Sequence, residues 1–209
     1  MPDFQHESQY PAPVCGVDEA GRGPWAGPVV AAAVILRPDH LPPGLSGLDD
    51  SKRLTEVVRE RLFRQLMRLA DLGHCHIGIG QASVKEIDQF NILRANDLAM
   101  ARAIGALSLA PQYALIDGNR VPPDLPCPAA ALVKGDSLSL SVAAASVIAK
   151  VTRDQVMVDL DRQYPGYGFA RHKGYGVAAH KAALEHLGPC PAHRTSFKPV
   201  ARLLATITT

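Results

Sequence analysis

The sequence predicts an α/β domain built around a mixed sheet, and three observations carry that prediction. Short apolar runs of strand length recur along the chain, at 14–17, 29–36, 75–79, 113–116 and 129–133. Segments with helical periodicity alternate with the later runs and gather toward the C-terminus. The first two runs are joined by a short Gly- and Pro-rich turn, which favours antiparallel pairing. With 209 residues, 47% hydrophobic and 20% charged, the chain has the composition of one globular domain and not of a disordered one.

Each element has its own signal. Val14 to Val17 and Val29 to Leu36 read as strands, and the Pro- and Gly-rich stretch from Leu41 to Asp50 reads as a loop. From Thr55 to Leu72, Val58, Leu62, Leu66 and Leu69 share one helical face, and Gly73 can end the helix. Cys75, Ile77 and Ile79 alternate with His76 and Gly78, as a half-buried strand should. Ser83 and Glu86 form a capping box for a helix reaching about Leu107, with a break near Asn91. Tyr113 to Ile116 and Ala129 to Val133 are strands around a four-proline loop. Leu140 to Tyr164 is a helix whose Ala- and Ser-rich start permits close approach to a neighbour. A loop to Gly176 follows, then a helix from Val177 to Leu187, closed by Gly188 and Pro189.

Several classes are disfavoured. No apolar run approaches the roughly 18 residues of a membrane span. Residues 1–13 lack a basic start leading into an apolar stretch, so a cytoplasmic protein is expected. The four cysteines are far apart and suggest no disulfide framework; Cys190 with His193 would be only half a zinc site. Residues 171–209 hold six Lys or Arg against Glu185 alone, so this segment carries +5 and the preceding part −3. A basic flank on an acidic body suits a polyanion, and a solvated helix face accounts for the same charges.

The acids are more specific. Asp18 and Glu19 follow the first strand, Asp117 ends the fourth, and Asp136 comes just after the fifth. Ligands of open α/β sheets gather at the carboxyl ends of strands. If these ends lie side by side, the carboxylates form a cluster that a hard divalent cation such as Mg²⁺ or Mn²⁺ would neutralise. Two such ions support phosphodiester hydrolysis. Neighbouring strand residues point to opposite faces, so Asp18 and Glu19 can share one site only if the strand bends or ends there. Next to them, Gly21 and Gly23 allow close backbone approach to a ligand, and Arg22 adds a phosphate-matching fork. This is neither a P-loop nor a dinucleotide fingerprint.

Asp18-Glu19-Ala20-Gly21-Arg22-Gly23 resembles the signature of the type 2 ribonucleases H, the ribonuclease HII family. Asp50-Ser51-Lys52, Ile116-Asp117-Gly118, Lys134-Gly135-Asp136, Ala144-Ala145-Ser146, His172-Lys173-Gly174-Tyr175 and His193-Arg194 with Ser196-Phe197 match it in order, over about residues 14–200. Type 3 relatives carry an added N-terminal domain, and about 13 residues precede the first strand here, so type 2 fits better.

The resemblance implies a ribonuclease H-like fold in one catalytic domain, with a core over about 14–170 and a basic C-terminal helical segment over about 171–209. It implies an endonuclease that cuts the RNA strand of RNA–DNA hybrids and incises 5′ of ribonucleotides embedded in duplex DNA, leaving 3′-hydroxyl and 5′-phosphate ends. Asp18, Glu19, Asp117 and Asp136 would be the catalytic carboxylates holding two Mn²⁺ or Mg²⁺ ions. Gly21, Arg22 and Gly23 would grip the RNA-to-DNA junction, and Tyr175 would pack on the neighbouring deoxyribose. Lys52 and Ser146 are further substrate-binding candidates, and Lys134, Lys150, Arg153 and Lys173 are candidate phosphate contacts. His172 is open between a proton shuttle and a structural or phosphate-contacting role. The expected partners are hybrid and ribonucleotide-containing duplex, with no membrane, and a monomer suffices. The rivals are a non-catalytic hybrid-binding module and another metal-dependent nuclease on the same fold.

Overall fold

In the computed structural model, which describes residues 1–40, 45, 47–49, 51 and 54–207, a five-stranded sheet has the order β3-β2-β1-β4-β5. The strands are β1 (Val14–Ala20), β2 (Val29–Leu36), β3 (Cys75–Ala82), β4 (Tyr113–Asp117) and β5 (Ala129–Leu132). β1, β2 and β3 pair antiparallel, while β1, β4 and β5 run parallel, so the sheet is mixed as expected. The parallel trio has its carboxyl ends along one edge.

β2 is buried along its whole length because both faces of the sheet are covered. Val29, Ala31, Ala33 and Ile35 face α2 (Val84–Gly105), together with Ala95, Ala99 and Ala103. Ala32, Val34 and Leu36 face α1 (Glu56–Asp71) and α3 (Leu140–Gln163), together with Leu62, Leu66 and the small run Ala143 to Ala149. The small residues let α3 lie close on β1. A Cβ on Gly16 would run into the backbone of Ser141 and Val142. On the other face, a Cβ on Gly78 or Gly80 would strike the backbone of α2.

The helix caps follow the sequence. Thr55 accepts from Val58 N at the start of α1, and Ser83 and Glu86 form the capping box of α2. Asn91 breaks α2 with φ of 68°, and its Oδ1 accepts from the amides of Leu93 and Arg94. β1 extends three residues past Val17, since Asp18, Glu19 and Ala20 keep register with Ala32, Ala31 and Val30. Within the expected loop over 164–176 lies a short turn of helix, α4 (Phe169–His172). α5 (Ala178–Leu187) stands where expected, and α6 (Lys198–Ile207) gives the C-terminal helical segment its second helix. The loop expected over 41–50 falls mostly outside the described residues. No helix among them is long and apolar enough to cross a membrane.

Candidate active site

Asp18, Asp117 and Asp136 converge at the carboxyl edge of the parallel strands, each offering an oxygen within 4.8 Å of the others. β1 supplies the first and β4 the second. The third sits in a 3-10 turn (Gly135–Ser137) beyond β5, entered through Lys134 at φ of 58°. Gly135 N donates to Asp117 Oδ1 at 2.8 Å, which locks that turn onto the end of β4. Asp18 and Asp136 are buried. Crowded carboxylates in a poorly solvated place repel one another, and hard oxygen donors of this kind suit a divalent cation.

Glu19 stays outside this triad. The strand does not end at Asp18, since pairing with β2 continues through Ala20, and Glu19 is not in the group whose oxygens lie within 4.8 Å of one another. Its Oε1 pairs with Arg22 Nη1 at 3.1 Å. Both acids nonetheless line one cavity of about 400 Å³, together with Gly21, Arg22, Gly23 and Tyr175. The Tyr175 ring, 46% exposed, reaches within 3.9 Å of where a Cβ on Gly23 would lie. The glycine loop and this tyrosine, more than 150 positions apart in the chain, therefore face one another across the site.

The remaining candidates separate into two groups. Lys150 lines the same cavity and pairs with Asp154 at 2.7 Å. Lys134 is exposed beside Asp136. Ser146 is buried, and its Oγ accepts from Ser51 N at 3.2 Å, so it holds the backbone at Ser51. Lys52 itself lies outside the described residues. Arg59, which the periodicity of α1 marks only as polar, donates to the carbonyl of Ser51 and lines the cavity.

Arg153 is not placed as a phosphate contact. It is 1% exposed, and its three nitrogens donate to the carbonyls of Pro28, Lys173 and Ala26 at 3.0–3.1 Å. The Lys173 ammonium is likewise bound to the carbonyl of Ala170. His172 has a structural role, because both ring nitrogens are engaged. Nε2 donates to Tyr167 O at 2.8 Å, and Nδ1 accepts from Gly174 N at 3.2 Å.

A buried chain of imidazoles stands behind the tyrosine. His180 Nδ1 lies 2.9 Å from Tyr175 O and must carry a proton to bond it. His180 Nε2 then accepts from His193 Nε2 at 3.1 Å, and His193 Nδ1 accepts from Cys190 N at 3.0 Å. The His172 ring stacks on His180 with centroids 4.4 Å apart. The sequence pair Cys190 and His193 is thus part of this network. Among the described residues, the acidic triad is the group whose geometry suits a metal ion.

Burial, and then the neighbouring His180, push the His193 pKa down to about 4. Protonation of either ring would set two N–H groups against each other. An unfolded histidine titrates near 6.5, so the folded state binds fewer protons below that pH. Full stability is therefore expected above pH 6.5, with a loss of about 3 kcal/mol as the pH falls toward 4. Denaturant titrations at several pH values test this. His193→Gln, which keeps a donor toward His180 but does not titrate, should flatten the profile in that window. An equally steep profile for the variant would disprove the assignment.

Two further residues had no local signal in the sequence. Asp88 accepts from the amides and hydroxyls of Thr195 and Ser196 at 2.6–3.0 Å, tying α2 to the loop that carries Arg194. Asp97, buried in α2, pairs with Arg120 just beyond Asp117. Each contact joins residues that only the fold brings together.

Comparison with known proteins gives this geometry its family. The family model described as Ribonuclease HII matches residues 15–200. The ribonuclease HII of Ruegeria pomeroyi is 52% identical over 210 residues, covering 98% of this chain and 86% of that protein. That of Magnetococcus marinus is 57% identical over 193 residues, covering 91% and 87%. The crystal structure of the ribonuclease H2 from Pyrococcus horikoshii superposes with a TM-score of 0.78 at 28% identity, covering 94% of this chain and 99% of that one. The strand-end carboxylates and the glycine loop thus lie inside a match that runs through nearly the whole fold, and the chain belongs to the ribonuclease HII family of metal-dependent endoribonucleases acting on RNA–DNA hybrids.

Proposed function

We propose that the protein incises duplex DNA on the 5′ side of an embedded ribonucleotide and also cuts the RNA strand of longer hybrids, leaving 3′-hydroxyl and 5′-phosphate ends. The observation that supports this reading is the placement of the Asp18, Asp117 and Asp136 carboxylates at the strand ends, with the exposed Arg22–Gly23 backbone and the Tyr175 ring at the adjoining cavity. Hard oxygen donors favour Mg²⁺ or Mn²⁺, held by these three acids with Glu19 nearby. Bound there, such ions would supply Lewis-acid activation of a water and charge stabilisation for the departing 3′ oxygen.

The chain's own residues perform the selection. A close backbone loop can read a 2′-hydroxyl, the group that distinguishes RNA from DNA. A tyrosine packed on the next sugar disfavours a second 2′-hydroxyl there. Lys150, and Lys52 beside Ser51, would meet neighbouring phosphates, with the basic 171–209 segment flanking the duplex. In this reading the whole chain is one catalytic domain, acting as a monomer in the cytoplasm.

The test is a DNA duplex with one internal ribonucleotide, end-labelled on that strand and incubated with Mn²⁺, Mg²⁺ or chelator. One metal-dependent cut on the 5′ side of the ribonucleotide, absent from all-DNA duplex, is expected. Cleavage of long hybrids alone would defeat the junction reading, and binding without any cleavage would leave a hybrid-binding module.

A further inference from the structure

Two guanidiniums lie beneath the glycine loop with no carboxylate bound to either among the described residues. Arg194 is 0% exposed and Arg153 is 1% exposed. Arg194 donates to four carbonyls: Gly21 at 2.6 Å, Arg22 at 2.9 Å, Gly27 at 2.9 Å and Pro28 at 3.2 Å. Arg153 takes those of Ala26 and Pro28 in the same loop, and that of Lys173 on the Tyr175 side. The two segments are also joined directly, since Trp25 N donates to Gly174 O at 2.8 Å and Arg194 N donates to Trp25 O at 2.8 Å. A buried charge is costly unless an opposite charge compensates it, and carbonyl dipoles do so only in part. Burial and the charge of Arg153 push the Arg194 pKa down to about 9, and burial pushes that of Arg153 down to about 10, so both stay cationic at neutral pH.

Peptide planarity turns this arrangement outward. In a trans peptide the carbonyl of one residue and the N–H of the next point in opposite directions. With the Gly21 and Arg22 carbonyls drawn down onto Arg194, the amides of Arg22 and Gly23 point away from it, toward the exposed side of the loop. Gly21 makes the turn possible with φ of 97°. Neither amide has an acceptor within the described chain. Successive outward N–H groups over a buried cation form an anion-binding concavity.

We propose that Arg194, seconded by Arg153, is a positioning residue that aims the Arg22 and Gly23 amides at a substrate phosphate and serves as the buried counter-charge to it. This rests on the functional reading above for the identity of the substrate. Asp88 and Asp154 lie near enough to favour the charged forms without bonding either guanidinium, and the anion adds negative charge on the exposed side of the loop. A lysine at 194 would keep the charge but has three donors, too few for the four carbonyls that the guanidinium holds.

The amides themselves provide the test. In the wild-type protein with chelator present, ¹⁵N resonances of Arg22 and Gly23 are followed while inorganic phosphate, or separately the single-ribonucleotide duplex, is added. Both amides should exchange rapidly with solvent in the free protein and shift or become protected with either ligand. In Arg194→Lys, judged folded by unchanged sheet amides, the phosphate-induced shifts should vanish. The KM for the duplex should rise about 10- to 100-fold, as for losing hydrogen bonds to a charged group, with a smaller change in kcat. Slow exchange of these amides in the free wild type, or wild-type KM and shifts in a folded Arg194→Lys, would overturn the proposal. Should that variant not fold, Arg153→Lys is read by the same shifts: weakened phosphate-induced shifts at the Arg22 and Gly23 amides support the proposal, and wild-type shifts in the folded variant, or no shift in the wild type, overturn it. Phosphate binding at these amides in a protein that cuts no ribonucleotide-containing duplex would instead defeat the functional reading and leave this one standing.

Discussion

Asp18→Asn should reduce metal-dependent cleavage by at least about a thousandfold, the equivalent of the several kcal/mol that a metal-bound transition state draws from its ligands. Asp18 is the buried member of the triad that comes from the central strand, and its oxygen lies within 4.8 Å of the oxygens of Asp117 and Asp136. The amide changes little in size, so the strand register with Ala32 should persist. It does remove one negative charge from the place a phosphate must approach. Affinity for the hybrid should therefore be unchanged or higher. Residual activity should require more metal, because a neutral amide oxygen is a weaker ligand than a carboxylate. Single-turnover cleavage over a Mg²⁺ or Mn²⁺ series, with hybrid binding measured in chelator, separates these effects. Wild-type rates at ordinary metal concentration would remove Asp18 from the chemistry.

Gly21→Ala should lower kcat/KM by about a hundredfold, the scale on which small misplacements in a site are felt. Two causes coincide at this residue. Its φ of 97° is one that side chains rarely adopt, and the new methyl would fall on the Arg153 guanidinium stem. The guanidinium cannot retreat without giving up its bonds to Ala26, Pro28 and Lys173. A loss of about 1–3 kcal/mol in stability should accompany the kinetic defect. Gly73→Ala is the control. Its φ is 72°, but a Cβ there meets nothing within 4 Å, so strain alone is present and activity should be retained. Equal behaviour of the two variants in cleavage assays would mean that the contact with Arg153 plays no part.

Much of the fold was legible because its signals are local. The capping box at Ser83 and the one-sided apolar stripe of α1 need no tertiary information, whereas in β3 the alternation expected from Cys75, Ile77 and Ile79 fails at its end: Ile79 is exposed, and Gly78 is buried because α2 packs directly on it. The small run at the start of α3 announced a close approach, and Gly16 is where that approach occurs. Strand ends marked the acids, and the parallel pairing of β1, β4 and β5 brings three of them to one edge. The short helix α4 escaped because four residues between glycines carry no periodicity.

Residue types and motif order by themselves determined the fold class, the family and the acids Asp18, Asp117 and Asp136, since each depends on local pattern or on spacing along the chain. Side-chain direction was decided only by the tertiary structure. β1 continues past Asp18 to Ala20, and Glu19 falls outside the close oxygen triad and pairs with Arg22 while lining the same cavity as Asp18. Arg153 appeared to be one more surface cation for phosphate, yet helix α3 directs it inward onto carbonyls. The basic residues of a sequence look alike, and burial separates them. A guanidinium at the surface can bind a phosphate directly, whereas one buried beneath a loop spends its donors on that loop's carbonyls and fixes its backbone.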